Sequence, residues 1–328
     1  MPLSLKLPAT IGKKTRWLII IICIVLGALL PFVYRWYKDT GKPTFKIGGI
    51  NYYLEGLYYG DNGGFLNPIG IAVSEKGLIY VADSGRNQIA ILNEKGKEIK
   101  RIGRAGNKLG ELSYPVSLAI NTGANQLIVS EMGNNRVQVF DLQGESLGLF
   151  PFQSRKPVLP TALTVDAKGN LYIVDKSTQE ILVYSTEGKL LSVLGKDQEE
   201  GFMFPMGIAI SSQGSIIVSD SGNAAVKLFD SYGSLLQRIP AKGPSDLFNN
   251  PRGVAVDSKG NLYVTDSLRG VVVCFDKNQK VQGVLSVPEA YTPLFMPDGI
   301  AWLNGNLYVV DKGNGRIVKY TSMNANFN

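Results

Sequence analysis

The chain contains no histidine among its 328 residues. Histidine is the commonest general base and the commonest metal ligand in proteins, so its absence removes the usual centre of acid–base and zinc chemistry. Cysteine is scarce as well: Cys23 lies in an apolar run and Cys274 in a strand-like segment, and no intrachain disulfide is expected. We expect Cys274 to be a buried structural thiol. No catalytic residue and no metal ligand is predicted.

Excess positive charge is also missing from most of the chain, although the formal net charge is +7. The first 42 residues hold seven basic residues and one acid, which leaves 27 basic and 26 acidic residues for the rest. Phosphate-backbone binding depends on a broadly positive surface. We therefore predict no nucleic-acid partner.

One long uncharged run is present, WLIIIICIVLGALLPFVY at residues 17–34. As a helix its 18 residues extend about 27 Å, which is close to the thickness of the bilayer hydrocarbon. Aromatic residues stand at both ends of the run, and no Ala-x-Ala-like cleavage site follows it. The pattern favours a retained transmembrane signal anchor that contacts the lipid bilayer, rather than a cleaved signal peptide.

The anchor divides the chain into a short basic tail (1–16), the membrane segment (17–34), a juxtamembrane linker (35–47) and the remainder (48–328). Three basic residues precede the anchor closely, against Arg35 and Lys38 after it, and this bias favours a cytoplasmic N-terminus. We expect a single-pass membrane protein with its large domain outside the cytoplasm. The lack of any Asn-x-Ser/Thr sequon is compatible with a bacterial cell membrane.

A unit of 45 to 47 residues is repeated six times after the anchor, each copy opening with a proline: Pro68, Pro115, Pro160, Pro205, Pro251 and Pro297. In the first copy the strand-like GIAV precedes a glycine turn and a second strand, LIYV. An acid, a polar loop, a third strand and a fourth strand ending near Ile102 follow. Four antiparallel strands per repeat of this length predict an all-β, six-bladed β-propeller.

These phrases resemble the NHL repeat, whose pattern runs Pro-x-Gly-aliphatic-Ala-aliphatic and then Asn-aliphatic-Tyr-Val-x-Asp. The resemblance extends from about Asn67 to Tyr320, with departures such as Glu131 in place of the aspartate and Ala162 in place of the glycine. It implies a six-bladed propeller of the NHL type, and it implies a site on the face formed by the fourth-to-first and second-to-third strand loops.

The sixth copy stops after its third strand, whereas a strand-like segment precedes the first copy. We predict that residues near 50–58 supply the outer strand of blade six and close the ring, which removes two exposed sheet edges.

The repeated acids occupy Asp83, Glu131, Asp175, Asp220, Asp266 and Asp311. A feature present in every blade is typical of scaffold, and an acid at a strand end commonly accepts backbone N–H bonds. We therefore interpret the acids as structural, with Asn135, Arg136, Asn314 and Arg316 as their partners. Glycines in the Lys-Gly-Asn and Glu-Lys-Gly turns are interpreted as hairpin residues of positive φ.

A site is better sought where the blades differ. The residue after each repeat proline should face the channel mouth, and this set, the mouth ring, comprises Ile69, Val116, Thr161, Met206, Arg252 and Asp298. We predict that Arg252 and Asp298, with Thr161 and Met206 opposite, form a ligand-binding site. The alternative is a structural salt bridge between neighbouring blades. The charged segments 101–104, 155–156 and 196–200 are expected to form a solvated rim.

Two classes of function remain. The first is a non-enzymatic, membrane-tethered module that binds a protein, glycan or peptide, which the resemblance implies broadly. The second is a metal-assisted hydrolase or lyase at the channel mouth. Histidine-dependent propeller lyases are disfavoured by the composition, and a Ca²⁺ site needs several converging oxygen ligands whereas the mouth ring offers one carboxylate, Asp298. No cofactor is predicted, and a bound Ca²⁺ is left open.

Overall fold

The computed structural model of the protein describes residues 44–47, 50–61, 63–153, 158–195, 201–239 and 247–322. The predicted tail (1–16), the predicted anchor (17–34) and most of the predicted linker lie outside these residues. Within the described ranges there is no helix long and apolar enough to cross a membrane.

Five of the six blades are built from four consecutive strands that pair antiparallel in chain order. Blades one to three comprise β3 (Pro68–Val73), β4 (Ile79–Asp83), β5 (Gln88–Leu92) and β6 (Glu98–Ile102); β7 (Pro115–Asn121), β8 (Gln126–Glu131), β9 (Arg136–Asp141) and β10 (Ser146–Leu149); and β11 (Pro160–Val165), β12 (Leu171–Asp175), β13 (Glu180–Tyr184) and β14 (Leu190–Leu194). Blades four and five comprise β15 (Pro205–Ile210), β16 (Ile216–Asp220), β17 (Ala225–Phe229) and β18 (Leu235–Ile239); and β19 (Pro251–Val256), β20 (Leu262–Asp266), β21 (Val271–Phe275) and β22 (Val281–Leu285).

Blade six combines the two ends of the domain. It contains β23 (Pro297–Leu303), β24 (Asn306–Asp311) and β25 (Arg316–Ser322), followed by β2 (Ile50–Tyr58) and, outside it, β1 (Thr44–Ile47). Strand β2 pairs antiparallel with β25, with Leu57 opposite Val318. This pairing joins the start of the domain to its end, and β1 gives blade six a fifth strand that the repeat pattern does not indicate.

The predicted all-β, six-bladed architecture of four-stranded antiparallel blades is confirmed. Each first strand begins at the repeat proline, a position where a residue without an N–H costs no ladder hydrogen bond. The second strands, such as β12 with sequence LYIVD, are buried along all of their length, or all but the first residue in β8 and β24, and they are rich in β-branched and aromatic residues. Short 3₁₀ helices lie at Ser84–Arg86, Thr122–Ala124, Ser221–Asn223 and Lys312–Asn314.

The first strands of neighbouring blades pack side by side around the central axis. The repeat glycines permit this approach: a Cβ at Gly253 would lie 2.5 Å from the carbonyl oxygen of Asp298, and one at Gly299 would meet the carbonyl oxygen of Ile69. Any larger residue at these positions would push the blades apart.

Apolar side chains fill every interface between adjacent blades. One cluster joins blades five and six, for example, through Tyr263, Val272, Tyr52 and Val309, and another joins blades six and one. Cys274 belongs to the first cluster; it is fully buried, and burial raises the pKa of its thiol well above the usual range. The interpretation of Cys274 as a structural thiol is confirmed. The hairpin glycines Gly77 and Gly96 have the expected positive φ, 77° and 78°.

Candidate functional site

The six repeated acids, here called the acid ring, are each buried at the end of a second strand. Each carboxylate accepts a backbone N–H from the segment that precedes the proline of its own blade. Examples are Leu66 N to Asp83 Oδ1 at 2.7 Å and Phe295 N to Asp311 Oδ1 at 2.8 Å. The acids therefore fix the loop that leads into each first strand, and their structural interpretation is confirmed.

Basic side chains form short ion pairs with several of these acids. Arg136 Nε donates to Glu131 Oε1 at 2.7 Å, and Arg316 Nε donates to Asp311 Oδ2 at 2.7 Å, as predicted. Arg316 also donates to Tyr59 Oη. Burial disfavours the charged guanidinium, but the hydrogen bonds to Tyr59 and Asp311 outweigh it and raise the pKa of Arg316.

Two predictions about this network are wrong. The partner of Glu131 is Asn134, whose Nδ2 donates to Oε2 at 2.6 Å, whereas Asn135 adopts the left-handed conformation that closes the loop (φ 50°). Arg101 is not a solvated rim residue, because its guanidinium binds Asp83 at 2.5 Å and Glu98 at 2.6 Å. Arg104 is exposed as expected. The predicted rim segments 155–156 and 196–200 lie outside the described residues.

A central cavity of about 450 Å³ lies along the axis and is lined by the first strands of all six blades. The six residues of the mouth ring all line it, including the predicted Thr161, Met206, Arg252 and Asp298. Farther along the same strands the lining is uncharged and mostly apolar, with Ile120, Ile210 and Trp302 among its members and Thr164 as a polar exception. The cavity is therefore charged only near the positions that follow the repeat prolines.

The charged part of the cavity is a cluster of two cations and one carboxylate, here called the mouth cluster. Asp298 Oδ2 lies 3.5 Å from Arg252 Nη2 and 3.5 Å from Lys312 Nζ. Charge-assisted hydrogen bonds are normally 2.7–2.9 Å long. In addition, Arg252 Nε is buried without a hydrogen-bond partner. The cluster carries one net positive charge and retains donor capacity.

Interblade hydrogen bonds set the backbone of this cluster. The hydroxyl of Thr265 on β20 donates to the carbonyl oxygen of Asp298 on β23 at 2.6 Å. Ser219 on β16 donates in the same way to the carbonyl oxygen of Arg252, and Ser130 on β8 to that of Thr161. A hydroxyl on one blade thus holds the mouth residue of the next blade.

Sequence reasoning missed Lys312. It immediately follows the acid Asp311, and the corresponding positions in the other blades are Ser84, Met132, Lys176, Ser221 and Ser267. A comparison of the six blades at the position after the acid would have identified Lys312 in the same way that the position after the proline identified Arg252, because the residue type differs between blades at both positions. Lys176 lines a smaller cavity of about 260 Å³, to which Thr161 and Met132 also contribute. Both lysines add positive charge near the mouth.

No group of three or more His, Cys, Asp or Glu side chains suited to a metal ion occurs in the part of the chain that the structure describes. The mouth cluster supplies one carboxylate, Asp298, and two cations that repel a metal ion. Its chemistry suits the binding of an anionic or hydrogen-bonding group.

Comparison with known proteins agrees with the fold. Residues 65–92 and 248–278 match the family model for the NHL repeat. Protein brain tumor of Drosophila melanogaster is 27% identical over 134 residues, which cover 40% of this chain and 13% of that protein. The chain spans 13% to 16% of the length of the first curated relatives that it matches.

Two similar solved structures are a streptogramin B lyase and the nidogen/laminin complex. The lyase has a TM-score of 0.59 at 15% identity, covering 83% of this chain and 98% of that chain. The nidogen/laminin structure has a TM-score of 0.59 at 19% identity, covering 79% and 96%. Since one is a lyase and the other a protein complex, and both identities are low, these likenesses establish the fold alone.

Proposed function

We propose that this chain, an NHL-repeat six-bladed β-propeller, is a non-enzymatic binding module that receives a protein, glycan or peptide partner at the mouth of its central channel. The observation that carries the proposal is the mouth cluster. Arg252, Asp298 and Lys312 meet at 3.5 Å at the entrance to a cavity of about 450 Å³, and Arg252 keeps an unpaired donor. At 3.5 Å the charged groups are not in close hydrogen-bond contact, so the net positive charge of the cluster remains able to attract an anionic group.

A matched pair of double variants tests this function. The Arg252→Ala, Asp298→Ala variant removes the mouth pair, and the Arg104→Ala, Glu111→Ala variant removes a pair from the loop before β7, outside the lining of the central cavity. Quantitative affinity capture from native membranes should show partners retained by the wild type and the control but lost by the mouth variant. Loss of thermal stability in the mouth variant, with the captured set unchanged, supports the structural salt bridge instead.

We further propose that residues 17–34 tether the propeller to a membrane and place it outside the cytoplasm. The support is the 18-residue uncharged run, its aromatic ends and the basic bias before it. Fusion reporters that are active on only one side of the membrane, attached after residue 328, test the orientation. A signal from the cytoplasmic reporter alone contradicts it, and release of the chain by alkaline carbonate contradicts the anchor.

A further inference from the structure

A band of large apolar side chains stands exposed on the channel-mouth face. This band, here called the apolar collar, consists of Leu66, Met203, Phe204, Leu268, Phe295 and Met296. Five of the six lie one or two residues before a repeat proline, and Leu268 lies in the loop between β20 and β21. Each remains 39% to 68% exposed. Other exposed apolar side chains, such as Leu147 and Leu236, lie on the outer strands, whereas the collar residues come from loops at the ends of the inner strands.

Two collar residues occupy a left-handed backbone position that the repeat also forms at Asn67 and Tyr114, immediately before the proline. Phe204 and Met296 have positive φ, 51° and 52°, which is rare for bulky residues. Phe204 is pinned there because its backbone N–H donates to Oε1 of Gln179 from the preceding blade at 2.7 Å. Phe295 packs on Gly313, where any side chain would clash with the phenyl ring. Gly313 follows Lys312 directly, so apolar surface and cation are neighbours.

The cations lie deeper than the collar. The side chains of Arg252 and Lys312 are 22% and 17% exposed, and Asp298 between them is buried. A flat anionic surface would contact the collar first and would be held away from these cations. A single protruding side chain or chain end passes the collar, and a carboxylate on it complements the net positive charge of the mouth cluster.

We infer that the partner is a polypeptide that presents a carboxylate, flanked by apolar side chains, to Arg252 and Lys312 within the apolar collar. The inference rests on the proposed binding function and names its ligand chemistry: the net positive cluster complements the carboxylate, and the collar complements the flanks. Asp298 competes with the incoming carboxylate for the two cations. It therefore lowers the affinity of the site for anions, and weakly binding anions are excluded.

The test uses the full-length chain and three immobilised mixtures of blocked heptapeptides. Their central residue is glutamate, glutamine or lysine, between random leucine, valine and phenylalanine. We expect the glutamate mixture to bind at least about tenfold more tightly than the glutamine mixture, as a desolvated charged hydrogen bond requires. Arg252→Gln and Lys312→Gln should each reduce this ratio, whereas Arg104→Gln, which removes an exposed cation outside the cavity lining, should leave it unchanged.

Two further variants separate the parts of the inference. Asp298→Asn should raise affinity for the glutamate mixture, because the competing carboxylate is lost while its shape is kept. Phe204→Ser should weaken all three mixtures by a similar factor and preserve the glutamate-to-glutamine ratio. Thermal unfolding of each variant identifies any that fail to fold. Asp298→Asn remains decisive because a folding defect that exposes apolar surface raises binding of all three mixtures, whereas loss of the competing carboxylate raises it for the glutamate mixture.

Equal binding of glutamate and glutamine mixtures, or a preference for lysine, overturns the inference. If the mouth variants weaken all mixtures equally, the binding function stands and the carboxylate assignment fails. If the mouth variants capture the same partners from native membranes as the wild type does, the proposed function itself fails. The protein could instead bind phosphatidylglycerol vesicles, lose that binding in Arg252→Gln and not discriminate among the peptides. That result identifies the ligand as a lipid headgroup and not a polypeptide.

Discussion

The acid ring and the mouth cluster both pair carboxylates with basic side chains, but the pairs are close in the acid ring and long at the mouth. At the acid ring, Arg316 reaches Asp311 at 2.7 Å, and the carboxylate also accepts a backbone N–H. At the mouth, Arg252 stands 3.5 Å from Asp298 and has an unpaired Nε. A pair whose donors and acceptors are all used stabilises the protein, whereas a pair with spare capacity is available to another molecule.

Repetition separates the two regions as well. The acid ring recurs in all six blades because each blade must fix the loop before its own first strand. The mouth cluster occurs at one boundary, between blades five and six, where Arg252 and Asp298 replace the apolar or weakly polar residues of the other blades. A feature that only one boundary carries is not needed to build a blade.

The largest predicted difference between the two regions is the effect of substituting Asp311. Asp311→Ala should destabilise the fold by about 3–5 kcal/mol, because it removes the only carboxylate that is paired with the buried Arg316 charge among the described residues. Urea unfolding measures the change. Asp298→Ala in the same blade is the control and should cost much less; equal losses at the two positions would erase the distinction between scaffold and site.

Thr265→Val should have the second largest effect. The substitution keeps the shape but leaves the carbonyl oxygen of Asp298 without its hydroxyl donor, at a cost of about 1–3 kcal/mol. It should also weaken partner binding, since the hydroxyl holds the mouth backbone. Thr164→Val, which lines the same cavity, is the control. A stability loss without any change in binding would show that the mouth tolerates displacement of Asp298.

Arg252→Gln should change stability by about 1 kcal/mol or less, because its ion pair is long and partly exposed to solvent. Partner binding should nevertheless be lost. Denaturation and affinity capture on the same preparation measure both quantities. A loss comparable with that of Asp311→Ala would place Arg252 with the scaffold.

Phe204→Ser should have the smallest effect on stability, about 0.5 kcal/mol, since the ring is largely exposed. Binding at the mouth should weaken. Tyr232→Ser removes an aromatic ring that is 90% exposed in the hairpin between β17 and β18 and serves as the control. Equal binding losses from both variants would indicate general apolar adhesion and not a defined collar.

Local periodicity made much of the fold predictable. The proline spacing, the glycine turns and the alternating strands are properties of one unit written six times, so each copy supports the assignment of the others. The adjacency of Arg252 and Asp298 followed from the same register, because equivalent residues of consecutive blades are neighbours in a closed ring. Lys312 did not follow, since it belongs to a different position of the repeat.

The sequence by itself determined six blades, their strand order, the structural character of the acids and the residues of the mouth ring, because these depend on contacts within one repeat or between identical repeats. The tertiary structure decided which side chains are satisfied. It pairs Asn134 and not Asn135 with Glu131, draws Arg101 into the acid ring and brings Lys312 to Asp298. Such choices depend on loop conformation and on the packing of one blade against the next, which a repeat pattern does not contain.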